Sequence, residues 1–344
     1  MPVGFKGIAG AACGGWSVLP NGGRVAALML AALLLCHCAA PRFTKRYPVM
    51  DPSLTSWTAR DGKSLPCKHW PVESKHPRAV VICIHGLSGA ASDFWPAGES
   101  FPAKGVAVYG MQLRGQGFDP DRKRRGDIRS SRQWREDLMD YTALVRQRHP
   151  GLPVYWFGES LGALITIDAT AVLPRDQKTV AGIILASPVV ALRDNLKLTF
   201  GRNLIFRTIL RLWPGKRISL EAMGNSEVQV TSKTTHRGQM QHTEHYVKDF
   251  SVRLFGEVEK LIRLSVAAAP RITVPVLILY TPNDALTPRE GVERFFACVA
   301  SHDKTSLFFP KSYHLILHDQ DRENALERLA AWIGARAGGQ DGPR

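Results

Sequence analysis

Gly158-Glu159-Ser160-Leu161-Gly162 sets a serine between two glycines, each two residues away. Val154-Tyr155-Trp156-Phe157 before it reads as a strand and residues 161–171 after it read as a helix, so the pentapeptide is a sharp strand-to-helix turn. A serine held in a strained backbone conformation at such a turn leaves no room for side chains two positions on either side, which is why glycines are needed there. The turn raises the serine oxygen above the sheet. The following backbone N–H and the helix N-terminus then face the charge that develops when the oxygen attacks a carbonyl. The chemistry this implies is nucleophilic, with Ser160 as the attacking group, and it requires a base and an acid from elsewhere in the chain.

Serine, acid and histidine follow one another in that order in chains with such an elbow. The acid is expected after a late strand, and Val276 to Tyr280 is followed by Thr281-Pro282-Asn283-Asp284, which makes Asp284 the candidate; Pro-Asn-Asp is also an ordinary turn composition. The histidine is expected after the last strand, where His314 and His318 compete. His314 is preferred because it is nearer the strand end, on the loop before the next helix. His85, in His85-Gly86-Leu87-Ser88-Gly89, comes too early for the base and is expected to brace its loop by hydrogen bonding. The same loop supplies the second donor of an oxyanion hole, so the backbone N–H groups of Leu87 and Leu161 are assigned to it. With Ser160, Asp284 and His314 the reaction is acyl transfer to water through an acyl-enzyme, and it needs neither a metal nor an organic cofactor.

These groups must be positioned by a scaffold. Apolar, β-branched-rich runs at Ala79–Ile84, Val106–Met111, Val154–Phe157, Ile183–Ala186, Val276–Tyr280 and Ser306–Phe309 suit strands buried on both faces of a mainly parallel sheet. Ser56–Ala59 and Leu65–Trp70 flank a turn and predict an opening hairpin. Helical periodicity appears at Ser131–Arg148, Leu161–Ala171 and Asp321–Ala335, and alternation of strand and helix means right-handed βαβ units. From Val189 to Ala269 no buried strand is evident and helical pieces dominate, notably Leu204–Trp213 and Val252–Leu264. The segment is too long for a loop and reads as a helical cap inserted after the sixth strand. The core is thus expected in two parts, residues 46–188 and 270–337, with the cap at 189–269 and a Gly-rich disordered tail at 338–344.

Residues 1–40 contain the apolar run Val25–Leu35, preceded by Lys6 and Arg24 and followed by Cys36-His37-Cys38-Ala39-Ala40. The run is short for a bilayer span and resembles a signal-peptide core, so the chain is expected to be exported, periplasmic or membrane-associated. Lipid attachment at Cys36 or Cys38 lacks the usual small residue before the cysteine, since Leu35 and His37 stand there. Beyond the leader only Cys67, Cys83 and Cys298 remain, with no disulfide or metal spacing. In 344 residues, 45 Lys and Arg against 30 Asp and Glu give a formal charge of +15. No zinc-finger spacing, helix-turn-helix pattern or aromatic-interleaved basic repeat turns that charge toward nucleic acid, so an anionic membrane surface is the expected partner. Arg202, Arg207, Arg211, Lys216 and Arg217 among the apolar residues of 204–213 would suit such a surface, as would a cap helix with its charges simply solvated. The basic run Arg122–Arg135 has the same two readings, a phosphate-headgroup contact or a solvated face.

Between about Ser56 and Ala335 the chain resembles the monoacylglycerol lipase and lysophospholipase branch of the α/β-hydrolases, through five ordered matches: His85-Gly86-Leu87-Ser88-Gly89, Arg114-Gly115-Gln116-Gly117, the Ser160 turn, Asn283-Asp284 and Tyr313-His314. The resemblance implies an α/β-hydrolase fold and a lid over an acyl pocket. Arg114-Gly115-Gln116-Gly117 is similar to the family's Asp-x-Arg-Gly-x-Gly-x-Ser segment, with Gln112 in place of the Asp and Phe118 in place of the Ser, and a structural role is implied for it. The expected substrate is a monoacylglycerol, a lysophospholipid or a similar ester. An aminopeptidase of the proline-iminopeptidase type on the same fold stays open, with Glu221, Glu227 and Glu244 as the evident supply of charge for a free amino terminus. A noncatalytic binding protein is disfavoured by the intact serine, acid and histidine.

Overall fold

The structure, a computed structural model, describes residues 48–72, 76–174, 179–220 and 227–337. The expected leader, its cysteines and the expected tail lie outside the described residues, as does Glu221.

Along the chain come β1 (Val49–Met50), β2 (Ser56–Thr58), β3 (Ser64–Trp70), β4 (Ala79–Ile84), helix α1 (Trp95–Ser100), β5 (Val106–Met111), α2 (Ser131–Arg148), β6 (Val154–Glu159), α3 (Leu161–Thr170) and β7 (Gly182–Ala186). An inserted segment follows, with α4 (Phe200–Leu212), β8 (Arg217–Ser219), β9 (Gln229–Thr231), β10 (Thr234–Thr235), α5 (His236–His242), β11 (Asp249–Ser251) and α6 (Val252–Ala268). The chain then resumes with β12 (Val276–Tyr280), α7 (Arg289–Cys298), β13 (Lys304–Phe308) and α8 (Arg322–Ala337). Among the described residues nine strands form one sheet in the order β1-β2-β3-β5-β4-β6-β7-β12-β13. β1, β2 and β3 run antiparallel and β3 pairs antiparallel with β5, whereas every pairing from β5 across to β13 is parallel.

The apolar runs fold as fully buried strands because helices cover both faces. Along β4, Val80, Ile82 and Ile84 pack with Trp156, Ile183, Ile278 and residues of α2 and α3. The alternate residues Val81 and Cys83 pack on the other face with Tyr155, Phe157, Leu277, Phe94 and the α8 residues Leu329 and Ile333. This period of two with both faces apolar is the signature that distinguishes a central parallel strand from an exposed one. Burial pushes the Cys83 thiol well above its usual range and that of Cys67 up to about 11, so both act as small hydrophobes.

Three expectations need correction. The inserted segment is not wholly helical: β8 pairs with β11, and β9 with β10, all antiparallel. Strands of two or three residues are too short for a period of two to be counted, although Val230, Thr231, Phe250 and Ser251 are buried. The insertion follows the seventh strand, since the two-residue β1 precedes the predicted hairpin. The last strand is Lys304–Phe308 rather than Ser306–Phe309; it is amphipathic at its edge position, and Lys304 is held by the Val299 carbonyl at 2.8 Å.

Candidate active site

In the open parallel sheet the order reverses at β4, which lies between β5 and β6. Loops leaving the carboxyl ends of β4 and β6 therefore diverge and leave a crevice, where ligands bind in such sheets. The β4 strand ends beside the β6 strand, Ile84 opposite Gly158, so His85–Gly89 and the Ser160 turn share one end. Ser160 has φ 56 and ψ −113. A Cβ at Gly158 would collide with the Gly162 carbonyl, and one at Gly162 with the Ile84 carbonyl, so here the glycine requirement is one of close backbone approach.

Asp284 follows β12 and His314 follows β13, the two strands on the far side of β7. The His314 ring bridges the other two groups: its Nε2 is 2.9 Å from Ser160 Oγ and its Nδ1 2.9 Å from Asp284 Oδ2. All three side chains are buried. The other Asp284 oxygen accepts the backbone N–H groups of Leu286 at 2.8 Å and Thr287 at 3.2 Å. With those bonds fixing the carboxylate, its free lone pairs face Nδ1, which makes the proton-bearing nitrogen Nδ1 and leaves Nε2 to accept from the serine. Burial opposes charge on His314, but the charge of Asp284 and its hydrogen bond outweigh burial and, with Glu159, hold the ring above its ordinary pKa.

His85 does what its early position implied. It is fully buried, and its Nε2 accepts from the Leu113 N–H at 3.0 Å and the Gln112 amide at 3.1 Å, so its proton sits on Nδ1, 2.8 Å from the Gly86 carbonyl. Burial lowers its pKa to about 4, which keeps it neutral in that role. The Arg114 segment is likewise structural. Arg114 is paired with Asp137 at 2.6 Å and with Asp61 at 2.6 Å, and the Gln116 side chain accepts the Ser88 N–H at 2.9 Å. That last bond holds the loop on which Leu87 stands. His318, the rival base, lies in a short 3-10 turn and makes no bond to Ser160 or Asp284 among the described residues. Leu87, Leu161, Ser160 and His314 all line one cavity of about 1740 Å³, and Leu161 opens α3, where a helix leaves its first N–H groups without internal partners.

The inserted segment roofs this cavity with Phe206, Ile218, Phe255, Val258 and Ile262, while Leu161, Leu164 and Val189 supply apolar floor. Asp93, His245, Ser232 and Gln239 make another part of the wall polar. Over residues 75–321 the sequence matches the family described as serine aminopeptidase, S33. The chain belongs to that family. Among its relatives are the phospholipase YtpA of Bacillus subtilis, 26% identical over 267 residues that cover 76% of this chain and 98% of that protein, and the monoacylglycerol lipase of Mycolicibacterium smegmatis, 24% identical over 75% of this chain and 88% of that one. A soluble variant of monoglyceride lipase from Saccharomyces cerevisiae, solved with a substrate analog, is similar in fold with a TM-score of 0.72 at 18% identity, covering 86% of this chain and 98% of that one. The monoacylglycerol lipase of Paleococcus ferrophilus superposes with a TM-score of 0.66 at 23% identity over 78% of this chain and 98% of that one.

Several supports in this hydrolase were invisible in the sequence. The Ser187 hydroxyl donates to the His314 carbonyl at 2.6 Å, Arg193 Nε to the Asp284 carbonyl at 2.6 Å, and the Asn283 amide to the Pro310 carbonyl at 2.9 Å. Each crosses between loops far apart in sequence. The one available signal was their place just beyond the carboxyl ends of β7 and β12, where polar residues have work to do. The carboxyl of Glu159, beside the serine, was also missed: burial raises its pKa to about 7, and its Oε1 has no hydrogen-bond partner.

Proposed function

We propose that this chain hydrolyses carboxylic esters of lipids, monoacylglycerols or lysophospholipid-like molecules, through an acyl-enzyme on Ser160. The observation that carries this reading is the unbroken Ser160–His314–Asp284 hydrogen-bond chain opening into a large cavity with an apolar roof. His314 Nε2 takes the Ser160 proton as Oγ bonds to the acyl carbon, and Asp284 stabilises the imidazolium. The oxyanion is received by the N–H groups of Leu87 and Leu161. Collapse breaks the ester C–O bond and the imidazolium protonates the leaving alcohol. Water, deprotonated by His314, then releases the fatty acid by the reverse sequence.

The names of the relatives support lipid esters over peptides. Of the acids the sequence offered for a free amino terminus, neither Glu227 nor Glu244 lines the cavity, and Glu227 is exposed and paired with Arg237 at 3.0 Å; the acids that do line it are Asp93, Glu159, Glu259 and Asp319. Comparing a monoacylglycerol with an aminoacyl arylamide tests this directly; faster cleavage of the arylamide would overturn the lipid reading. Because His314 must be neutral to act as base, kcat/KM is expected to rise with pH through its titration, with a midpoint above the ordinary 6.5, measured on a soluble ester between about pH 5 and about pH 9. A midpoint below that value would contradict the assigned Asp284–His314 pairing.

The second part of the proposal is that the enzyme is exported and works against an anionic membrane. Its support is the signal-like leader and the exposed apolar residues at α4, Leu204 at 61%, Leu212 at 57% and the following Trp213 at 62%; Ile205, 61% exposed, also lines the cavity. The side chains of Arg202, Arg211 and Lys216 have no partner among the described residues, whereas Arg207 is paired with Glu259 and Arg217 binds the Lys123 carbonyl at 2.9 Å. In the basic run at 122–135, Arg124, Arg132 and Arg135 pair with Asp127, Glu136 and Asp168 and Arg125 donates to the Asp119 carbonyl at 2.9 Å, whereas the side chains of Arg122, Lys123 and Arg129 have no partner among the described residues. No helix of the described residues is long and apolar enough to cross a membrane. Wild type is expected to sediment with phosphatidylglycerol vesicles more than with phosphatidylcholine vesicles, less so at high salt, and a Leu204→Asp/Trp213→Ala variant to lose most of that binding. Equal sedimentation of variant and wild type would remove α4 from the proposal.

A further inference from the structure

The reaction assigns no task to Asp319, yet its carboxylate joins two parts of the cavity wall. Its Oδ2 accepts the Tyr313 N–H at 2.8 Å and the Ser232 N–H at 2.9 Å, and its Oδ1 accepts the Ser232 hydroxyl and the Gln320 N–H. Tyr313 immediately precedes His314. Ser232 lies in the turn between β9 and β10, in the inserted segment. On the other side of His314, the Leu315 N–H donates to the Val230 carbonyl of β9 at 2.8 Å. Both residues flanking His314 are therefore fastened to one hairpin, Leu315 directly and Tyr313 through Asp319.

This hairpin is itself part of the cavity. Val230, Thr231, Ser232 and Thr234 line it together with His314 and Leu315. Fastening is not needed merely to fold the His314 loop, because that loop has its own anchors. Asp321 Oδ2 accepts the Lys311 N–H at 2.9 Å and the Ser312 hydroxyl at 3.1 Å, and the Ser187 hydroxyl holds the His314 carbonyl. What the Asp319 bridge adds is a fixed relation between the roof of the cavity and the base.

We propose that Asp319 is a positioning residue, locking the β9–β10 hairpin to the His314 loop so that the imidazole is held in line with Ser160 when the hairpin is seated on the cavity wall. A substrate that presses on the hairpin thereby reaches the base through two hydrogen bonds. The inference rests on His314 acting as the base. Loss of alignment by a fraction of an ångström acts on turnover more than on binding, because the transition state alone depends on the line from Ser160 to His314.

The test uses the full chain and p-nitrophenyl butyrate, a soluble ester too small to fill the cavity. Asp319→Ala is expected to lower kcat by roughly tenfold to a hundredfold with KM within about threefold. Asp319→Asn is expected to recover most of the loss, because the amide oxygen can accept the same two backbone N–H groups, and Ser232→Ala to fall between. Wild-type kcat in Asp319→Ala, or an equal loss in the Asn and Ala variants, overturns the inference. If Asp319→Ala does not fold, Ser232→Ala decides: wild-type kcat there overturns it and a lowered kcat at unchanged KM upholds it. Labelling of wild type by a fluorophosphonate keeps the two readings apart. A wild type that is neither labelled nor active overturns the assignment of Ser160 and His314, and the Asp319 inference with it, whereas a labelled, active wild type matched by Asp319→Ala refutes the bridge alone.

Discussion

Ser160→Ala is expected to lower kcat toward a monoacylglycerol by about 10⁶-fold, the scale on which loss of a triad nucleophile acts in a serine hydrolase. Among the described residues no other hydroxyl is hydrogen-bonded to His314 Nε2. His314 Nε2 has Ser160 Oγ as its hydrogen-bond partner at 2.9 Å, and Asp284 is spaced behind the ring on its other edge. The variant should fold, since Ser160 sends no side-chain hydrogen bond into the helix it begins, and the turn is set by Gly158 and Gly162. The check pairs steady-state rates with a thermal melt. Activity within about tenfold of wild type from a folded variant would refute Ser160 as nucleophile.

Asp284→Asn is expected to cost about 10⁴-fold in kcat with little change in fold, as the same replacement does in other triads. The amide oxygen can keep the Leu286 and Thr287 N–H groups, which leaves its NH₂ facing His314 Nδ1. A donor there forces Nδ1 to accept, the ring proton moves to Nε2, and Nε2 then points a proton at Ser160 instead of a lone pair. The same change removes the charge that outweighs burial at His314, so the acid limb of the pH profile should move down. Rates and profiles measured on the soluble ester separate these effects. An unchanged acid limb together with a small loss of kcat would show that Asp284 is a turn residue and no more.

How much of this was legible beforehand followed from the length scale of each feature. The Gly158–Gly162 turn is local, and its reason, backbone atoms of the elbow, α3 and β4 in near contact, works through residues whose types are fixed by sterics. Central strands were legible because burial on both faces leaves only apolar side chains, as along β4 and β12. The inserted segment was harder. Its strands are too short for a period, and its helices share their apolar residues between the cavity and solvent, with Phe206 on the cavity and Leu204 outside. A hydrophobic pattern is the same for both, so the pattern alone did not say which way they faced.

Ser160, Asp284, His314 and the His85 loop were named from chain order and strand ends, because a sheet with a fixed handedness of connection delivers those ends to one rim. Sequence order could not give the distances that make them one unit, nor choose His314 over His318 by anything firmer than proximity to a strand. The tertiary structure gives the distances: among the described residues it is His314, and not His318, that stands 2.9 Å from both Ser160 and Asp284. It also decided the supports from Ser187, Arg193 and Asp319, whose partners lie 127, 91 and 87 residues away for the His314 carbonyl, the Asp284 carbonyl and Ser232. What the sequence determined by itself was the elbow, the buried strands and the kind of chemistry, since those depend on residue type within a few positions. The orientation of the base, the roof of the cavity and the bridge between them depend on packing between distant segments, which residue types constrain only through the folded chain as a whole.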